Sequence, residues 1–299
     1  MKNTHLLTLL CFIGFVYTSC TKTPSTPESW SFYVNPFIGT GDHGHVFLGA
    51  NAPFGLVQLG PTQHNRGWDW CSGYHYSDSI IVGFSHQHLS GTGIGDLGDI
   101  TFFPFCDELT EAKFSHRNEV VKPGYYSVQL SEPNIGVELI ATAHAGLHRY
   151  KFPVSDTTGL IIDLARGIGW DSPVEGYLVM ENDSVVSGYR LSTGWARKQK
   201  IYFTAKFSHP IREFIVSDGI NESHSDIVRA KTAYGKVYFS MPQHENLIAK
   251  VGLSPVSIEN AKHNLDAELP GWDLEQAYSP IRDAWDRQLE KIRIETSSE

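Results

Sequence analysis

Basic residues are scarce in this chain. Lys and Arg number 24 against 33 Asp and Glu, the formal net charge is -9 over 299 residues, and no basic cluster interrupts the excess. A surface of that sign repels a phosphate backbone, which argues against nucleic acid as a partner. Apolar length is lacking too: the N-terminal run Leu6–Tyr17 falls short of the roughly 20 residues that a membrane-spanning helix needs. Cysteine is sparse at 4 residues; with Cys11 and Cys20 in the N-terminal segment, only Cys71 and Cys106 remain in the body. Those two allow one disulfide at most, and free, buried thiols are the favoured expectation. The glycine-rich loop Asn35–His45 lacks the Gly-x-Gly-x-x-Gly order and is followed by no helical pattern, which rules out a dinucleotide site there. No Ser-His-Asp arrangement, phosphate loop, internal repeat or low-complexity block is visible.

What is present begins with an export signal. Residues 1–19 carry Lys2, the apolar run and the small pair Thr18-Ser19 directly before Cys20, the form of a lipoprotein signal with Cys20 as the lipidated residue. Tyr17 is unusual for such a signal, and ordinary signal-peptidase cleavage is the alternative. Residues 20–29, rich in Pro, Thr and Ser, form a tether. The expectation is an exported domain at the outer membrane, at the cell surface or in the periplasm, meeting the membrane only through its lipid.

From Trp30 the chain alternates short apolar runs with Gly, Pro, Asn and Asp. Runs at Val46–Leu48, Gly55–Leu59, Ile80–Phe84, Ile100–Phe105, Tyr125–Leu130 and Leu160–Leu164 read as strands, and Tyr126, Val128 and Leu130 share one face at a period of two. Similar runs continue to Lys236–Ser240 without a helical stripe. The pattern predicts a mainly β protein, an antiparallel sandwich over residues 30–255. Residues 256–299 change character. Ser257 is placed to cap a helix through Leu269; Ser279-Pro280 signals a second, with Ile281, Trp285, Leu289 and Ile292 on one face. These linker helices either fold back on the sandwich or lead into a further domain.

The densest chemistry lies in residues 66–105, where Trp68, Asp69, Trp70, His75, His86 and His88 stand among glycines and hydroxyls. A tryptophan ring matches the C–H face of a pyranose, and Asp69, His86, His88, Ser90, Gly91 and Thr92 offer groups for its hydroxyls. In extended backbone Trp68 and Trp70 share a face; the expectation is that Trp68 is exposed and Trp70 buried. His86 and His88 likewise share a face across Gln87. The same histidines read equally as satisfied groups packed under a loop, and less readily, with His75, as a zinc site. Asp69, Asp96 and Asp99 are carboxylates by neighbourhood alone, and no spacing identifies an acid–base pair. The first loop, Asn35–His45, is either a wide turn or a ligand loop.

The ordered motifs Asn35–Gly41, Ala52–Gly55, Ser72–Tyr76, Gly83–Gly93, Val256–Ala261 and Pro270–Asp273 resemble glycoside hydrolase family 92 over nearly the whole mature chain. Two positions depart from the family's pattern: Gln87 replaces a usual threonine and Leu48 a common proline. The resemblance implies a calcium-dependent, inverting exo-α-mannosidase of the kind common in gut Bacteroidetes that degrade N-glycans and mannan. It implies an N-terminal β-sandwich followed by a helical (α/α)6 domain, with the mannose pocket between them. The family's acid, base and most calcium ligands belong to that helical domain, so no catalytic or metal-ligating residue is expected in this chain. Trp68 resembles the family's sugar-contacting tryptophan. The alternative is a stand-alone carbohydrate-binding surface lipoprotein without hydrolase activity.

Overall fold

The computed structural model describes residues 29–106, 109–155, 157–242 and 244–294. The signal, Cys20 and most of the tether lie outside the described residues. Among the described residues, eighteen strands form two antiparallel sheets. The eight-stranded sheet runs Ala50–Asn51, Gln58–Thr62, Gly83–Ser85, Thr101–Cys106, Thr158–Asp163, Tyr234–Phe239, Ile211–Ser217 and Glu222–Ser223. The ten-stranded sheet begins Ile227–Ala230, Ser172–Asn182, Val185–Thr193, Gln199–Phe207 and Leu247–Ser254. It continues through Ala145–Lys151, Gly136–Ala141, Tyr125–Glu132 and Ala112–Lys122 to Ile80–Ile81.

The inward faces make one continuous core. Phe84, Phe102, Leu160 and Val237 from the first sheet meet Leu139, Phe203 and Val251 from the second, all fully buried. Each such side chain contributes about 1.5–3 kcal/mol on leaving water. The period-two reading is realised in Tyr125–Glu132, where Tyr126, Val128 and Leu130 are buried together.

The sandwich prediction therefore holds, with local corrections. Val46–Leu48 is loop rather than strand, because the chain there returns to hydrogen-bond Gly39 through Val46 N at 3.0 Å. Ala112–Lys122, Val185–Thr193 and Ile211–Ser217 are strands that the apolar runs did not announce. Their polar inward groups are satisfied: Ser187 and Thr204 bond each other across adjacent strands at 2.7 Å.

Helix α1 (Ile258–Glu268) starts where expected, its Ser257 side chain accepting from Asn260 N. It lies so close to the strand Leu247–Ser254 that a Cβ on Gly252 would stand 2.2 Å from Ala261 O. Helix α2 (Leu274–Leu289) starts six residues earlier than the Ser279-Pro280 signal. Asp273 is its cap, accepting from Gln276 N at 2.7 Å, and Pro280 lies inside the helix, where it leaves the Gln276 carbonyl without its partner. The stripe folds back on the sandwich: Ile281 is buried in a second cluster with Ile140, Leu147, Leu265 and Leu274, and Trp285 Nε1 donates to Asn51 O at 2.7 Å. Ile292 lies past the helix and is exposed. Among the described residues no helix is long and apolar enough to cross a membrane.

Candidate functional site: a tryptophan-bearing loop cluster

The short strands Ala50–Asn51, Gln58–Thr62 and Gly83–Ser85 hold up the loops on which the sequence concentrates its chemistry. Their centre is the segment Gly93–Asp96. Trp68 Nε1 donates to Gly93 O at 2.8 Å, Trp170 N donates to Gly95 O at 2.6 Å, and Trp195 N donates to an Asp96 carboxylate oxygen at 2.9 Å. These three tryptophans are 55%, 56% and 66% exposed, far beyond what a core indole shows. Three loops thus present indoles to solvent from one backbone hinge.

Trp68 is exposed, as expected, and Trp70 is half-buried rather than fully buried. They do not share a face of extended chain, because Trp68–Trp70 forms a 3-10 turn entered through Gly67 at φ 137°. The turn lets Trp70 Nε1 reach Asp78 at 3.1 Å and stack on His75, ring centroids 4.4 Å apart. Trp170 and Trp195 were not singled out from the sequence. Each follows a glycine, as Trp68 does, but so does Trp272, which packs against Lys250 instead, so the pair alone does not single them out.

The anticipated polar contacts divide. Ser90, Gly91 and Thr92 are exposed on the central loop, near the indoles. Ser90 Oγ accepts from Phe47 N and Gly91 N donates to His45 O, which ties this loop to the first one. Gly91 has φ 70° and open space where a Cβ would stand. His86 lies in the core, without exposure. Its Nδ1–H donates to Ile100 O at 2.6 Å and its Nε2 meets His148 Nε2 at 3.0 Å, so no ring nitrogen remains for a ligand. Burial lowers its pKa to about 4. His88 is also buried, stacked on Phe47, with Nδ1 on Gln58 O and Nε2 on Ser85 Oγ. The two rings engage different partners, His86 meeting His148 in the core and His88 the hydroxyls of Thr62 and Ser85.

Asp96 and Asp99 are buried, and Asp96 engages through Oδ2 while its Oδ1 has no hydrogen-bond partner. Asp96 accepts from Trp195 N and Gln199 Nε2; Asp99 accepts from Arg190 Nη1 at 2.6 Å. Arg190, itself without exposure, also donates to Asp171 at 2.5 Å and to Leu164 O at 3.0 Å. Burial raises the Asp171 pKa against the opposing effect of Arg190. This group braces the loops; it does not open to substrate. Cys71 and Cys106 are buried and are not joined in a disulfide, and burial pushes the Cys71 thiol up.

Asp69 is the partly exposed carboxylate. His43 Nδ1 lies 2.6 Å and His45 Nε2 3.2 Å from the same oxygen, Oδ1. The hydrogen bond to His43 holds the Asp69 pKa low, and the same bond raises that of His43. Among the described residues, this is the set of three His, Cys, Asp or Glu side chains whose ligand atoms converge. Neither His43 nor His45 was singled out from the sequence; His75, His86 and His88, which were, do not converge. Calcium prefers six to eight oxygen donors. Two imidazoles and one carboxylate do not fit it.

An antiparallel sandwich that presents tryptophans and hydroxyls from one loop end defines the class. The description "Glycosyl hydrolase family 92 N-terminal domain" matches residues 33–254, and the chain belongs to that family. A family 92 α-mannosidase of Bacteroides thetaiotaomicron, solved with mannoimidazole, is 32% identical with a TM-score of 0.84, over 88% of this chain and 37% of that one. A family 92 inverting mannosidase of the same organism shares the fold, with a TM-score of 0.80 at 24% identity over 91% of this chain and 38% of that one. An uncharacterized secreted glycosidase of Arthroderma benhamiae is 25% identical over 88% of this chain and 38% of its own length. The chain thus spans less than two fifths of the length of each relative.

Proposed function

We propose that this chain is the mannose-facing sandwich of an inverting exo-α-mannosidase acting on α-mannosides of N-glycans or mannan. One observation carries the reading: the exposed indoles Trp68, Trp170 and Trp195 all hang from residues 93–96. Trp68 offers a ring face to the sugar, while Ser90, Thr92 and the open backbone of Gly91 offer donors and acceptors beside it. Asp69 orients the loop next to Trp68. His86 and His88 support the cluster from below.

In this reading the chain supplies recognition, and the general acid, the general base and the calcium site belong to a helical domain that closes over the loops. Inversion needs one carboxyl group to protonate the leaving oxygen and another to activate water on the opposite face of the sugar. Asp96 and Asp99 are too buried for either role, and Asp99 is paired with Arg190. The N-terminal sequence supports export with lipidation at Cys20, and the secreted relative supports export.

The second reading is a stand-alone carbohydrate-binding lipoprotein. It is favoured by the docking of α2 on this chain's own sheet, which leaves its main apolar stripe covered without a further domain. The test measures mannose release from an aryl α-mannoside and mannoimidazole binding. Both the purified chain and the chain joined to a family 92 helical domain are assayed, with calcium and with chelator. Release only by the joined protein, lost in Trp68→Ala, supports the enzyme reading. Mannoside binding by the chain alone with no release by either supports the second. Release by the chain alone overturns the assignment of acid and base to the helical domain.

A further inference from the structure

His43 and His45 flank Gly44 in the first loop, whereas Asp69 belongs to the tryptophan turn, 24 residues beyond His45. Their meeting is built by the backbone. Gly39, Asp42 and His45 have φ of 82°, 47° and 56°, and a Cβ on Gly44 would fall 2.2 Å from Gly39 O. Val46 N and Gly44 N close the loop on Gly39 O and Gly41 O, while His75 Nε2–H donates to Asp42 O at 3.2 Å. His45 is fixed under Trp68, ring centroids 4.3 Å apart, and His43 lies 5.7 Å from the same indole. A left-handed conformation at two non-glycine residues is spent to aim two imidazoles at one carboxylate oxygen.

We propose that His43 Nδ1, His45 Nε2 and Asp69 Oδ1 form a binding site for a divalent transition-metal ion of the zinc type, clasping the first loop to the tryptophan turn. The donor set decides the metal class. Two neutral imidazoles with one carboxylate are ligands that zinc and its neighbours accept, whereas calcium selects oxygens. The three ligand atoms lie within 4.8 Å of one another, and the two separations to Asp69 can be compared with a bound ion. Bonds of 2.0–2.1 Å in tetrahedral geometry place ligand atoms about 3.3 Å apart. His45 Nε2 stands 3.2 Å from Asp69 Oδ1 already. His43 Nδ1, at 2.6 Å, is in hydrogen-bond contact and has to retreat by a fraction of an ångström as the ion replaces the shared proton. Its side chain is 75% exposed, so it is free to do so and leaves the ion a path from solvent and room for water. The exposed pair His64–Glu111 brings only one imidazole to one carboxylate.

The proposal does not depend on the mannoside reading, and its test reads metal rather than turnover. The full chain, untagged and stripped with chelator, is titrated with zinc and separately with calcium by calorimetry, and with cobalt by visible absorption. The expected result is one equivalent of zinc and a cobalt spectrum with ligand-field bands. His43→Ala and Asp69→Asn should each weaken zinc by at least about tenfold, since even residues behind a ligand cost that much. His64→Ala should bind as the parent does. His43 is exposed, so its variant folds irrespective of the site, and far-ultraviolet circular dichroism verifies this for both. No saturable zinc binding, or binding that survives both variants, overturns the site. Calcium competing with zinc at equal concentration overturns the metal class.

Discussion

Trp68 Nε1 donates to Gly93 O across 2.8 Å, which hinges the most chemically suggestive ring of one loop on the backbone of another. A Cβ on Gly93, at φ 68°, would stand 3.2 Å from the ring atom Cζ2 of Trp68. Gly93→Ala therefore strains the loop and pushes the indole outward. Trp68→Phe keeps a ring but removes the donor, at a cost of about 0.5–1.5 kcal/mol in holding the ring where it is. In the protein carrying a helical domain, both variants should weaken mannoimidazole measured by calorimetry, and Trp68→Ala should weaken it most. Equal affinity in all three would remove Trp68 from the sugar wall.

Arg190 is a single buried cation between Asp99 and Asp171. Removing it strands two carboxylates in the sandwich. Arg190→Met should lower the free energy of unfolding by about 3–5 kcal/mol, read from urea denaturation, because an uncompensated buried charge costs more than the pair contributes. The double change Arg190→Met with Asp171→Leu should recover part of that loss; no recovery would mean that shape, not charge, sets the cost.

Much of the architecture was legible because burial on one face imposes a period of two, as Tyr126, Val128 and Leu130 demonstrate. Helix α1 was legible from Ser257, whose cap bond is local. Helix α2 was misplaced because Ser279-Pro280 offers the right residues in the right order; Asp273, with an unobstructed bond to Gln276 N, captured the start instead. The site was only half legible. Local pattern identified Trp68 and the exposed Ser90–Thr92 loop, but it left His86 equally open as a sugar ligand and as a histidine packed under a loop; the second is what the fold contains. His86 is fixed by His148 and Ile100, partners far along the chain that no local pattern announces. The convergence of His43 and His45 on Asp69 depends on left-handed backbone at Asp42 and His45, which residue identity does not declare. No local signal separates Trp170 and Trp195, because Gly-Trp pairs occur at 67–68, 169–170 and 194–195 and also at 271–272, where Trp272 packs against Lys250 instead.

Helix α2 offers a pair of changes with opposite signs. Asp273→Ala removes a cap and should cost about 1 kcal/mol. Pro280→Ala restores a donor to the Gln276 carbonyl and should stabilise, up to about 2–3 kcal/mol once the freer unfolded chain is counted. Thermal melts of the two variants check both, and a destabilising Pro280→Ala would mean that the bend it imposes is needed to dock Ile281.

The buried histidine chain predicts how the fold meets acid. Tyr150 O–H donates to His148 Nδ1 at 2.7 Å, His148 Nε2–H donates to His86 Nε2 at 3.0 Å, and His86 Nδ1–H donates to Ile100 O at 2.6 Å. Every donor has one acceptor, so the arrangement is complete only with both rings neutral. Burial takes the His86 pKa down to about 4 from the ordinary 6.5, and burial with the His86 neighbour takes His148 down as well. In the unfolded chain both protonate near pH 6.5, so the unfolded state binds more protons over the interval between. The His86 share of this stability, on the order of 3 kcal/mol, is whole above pH 6.5, declines as pH falls toward 4 and is lost below it, and His148 adds a decline of the same sign. Urea midpoints at pH 7.5, 6.0 and 5.0 should fall in that order, before most carboxylates titrate. Replacing both rings, His86→Leu with His148→Leu, should flatten the decline between pH 6.5 and 5 even though the double variant is less stable at pH 7.5. A slope unchanged by the double variant would assign the acid sensitivity to other groups.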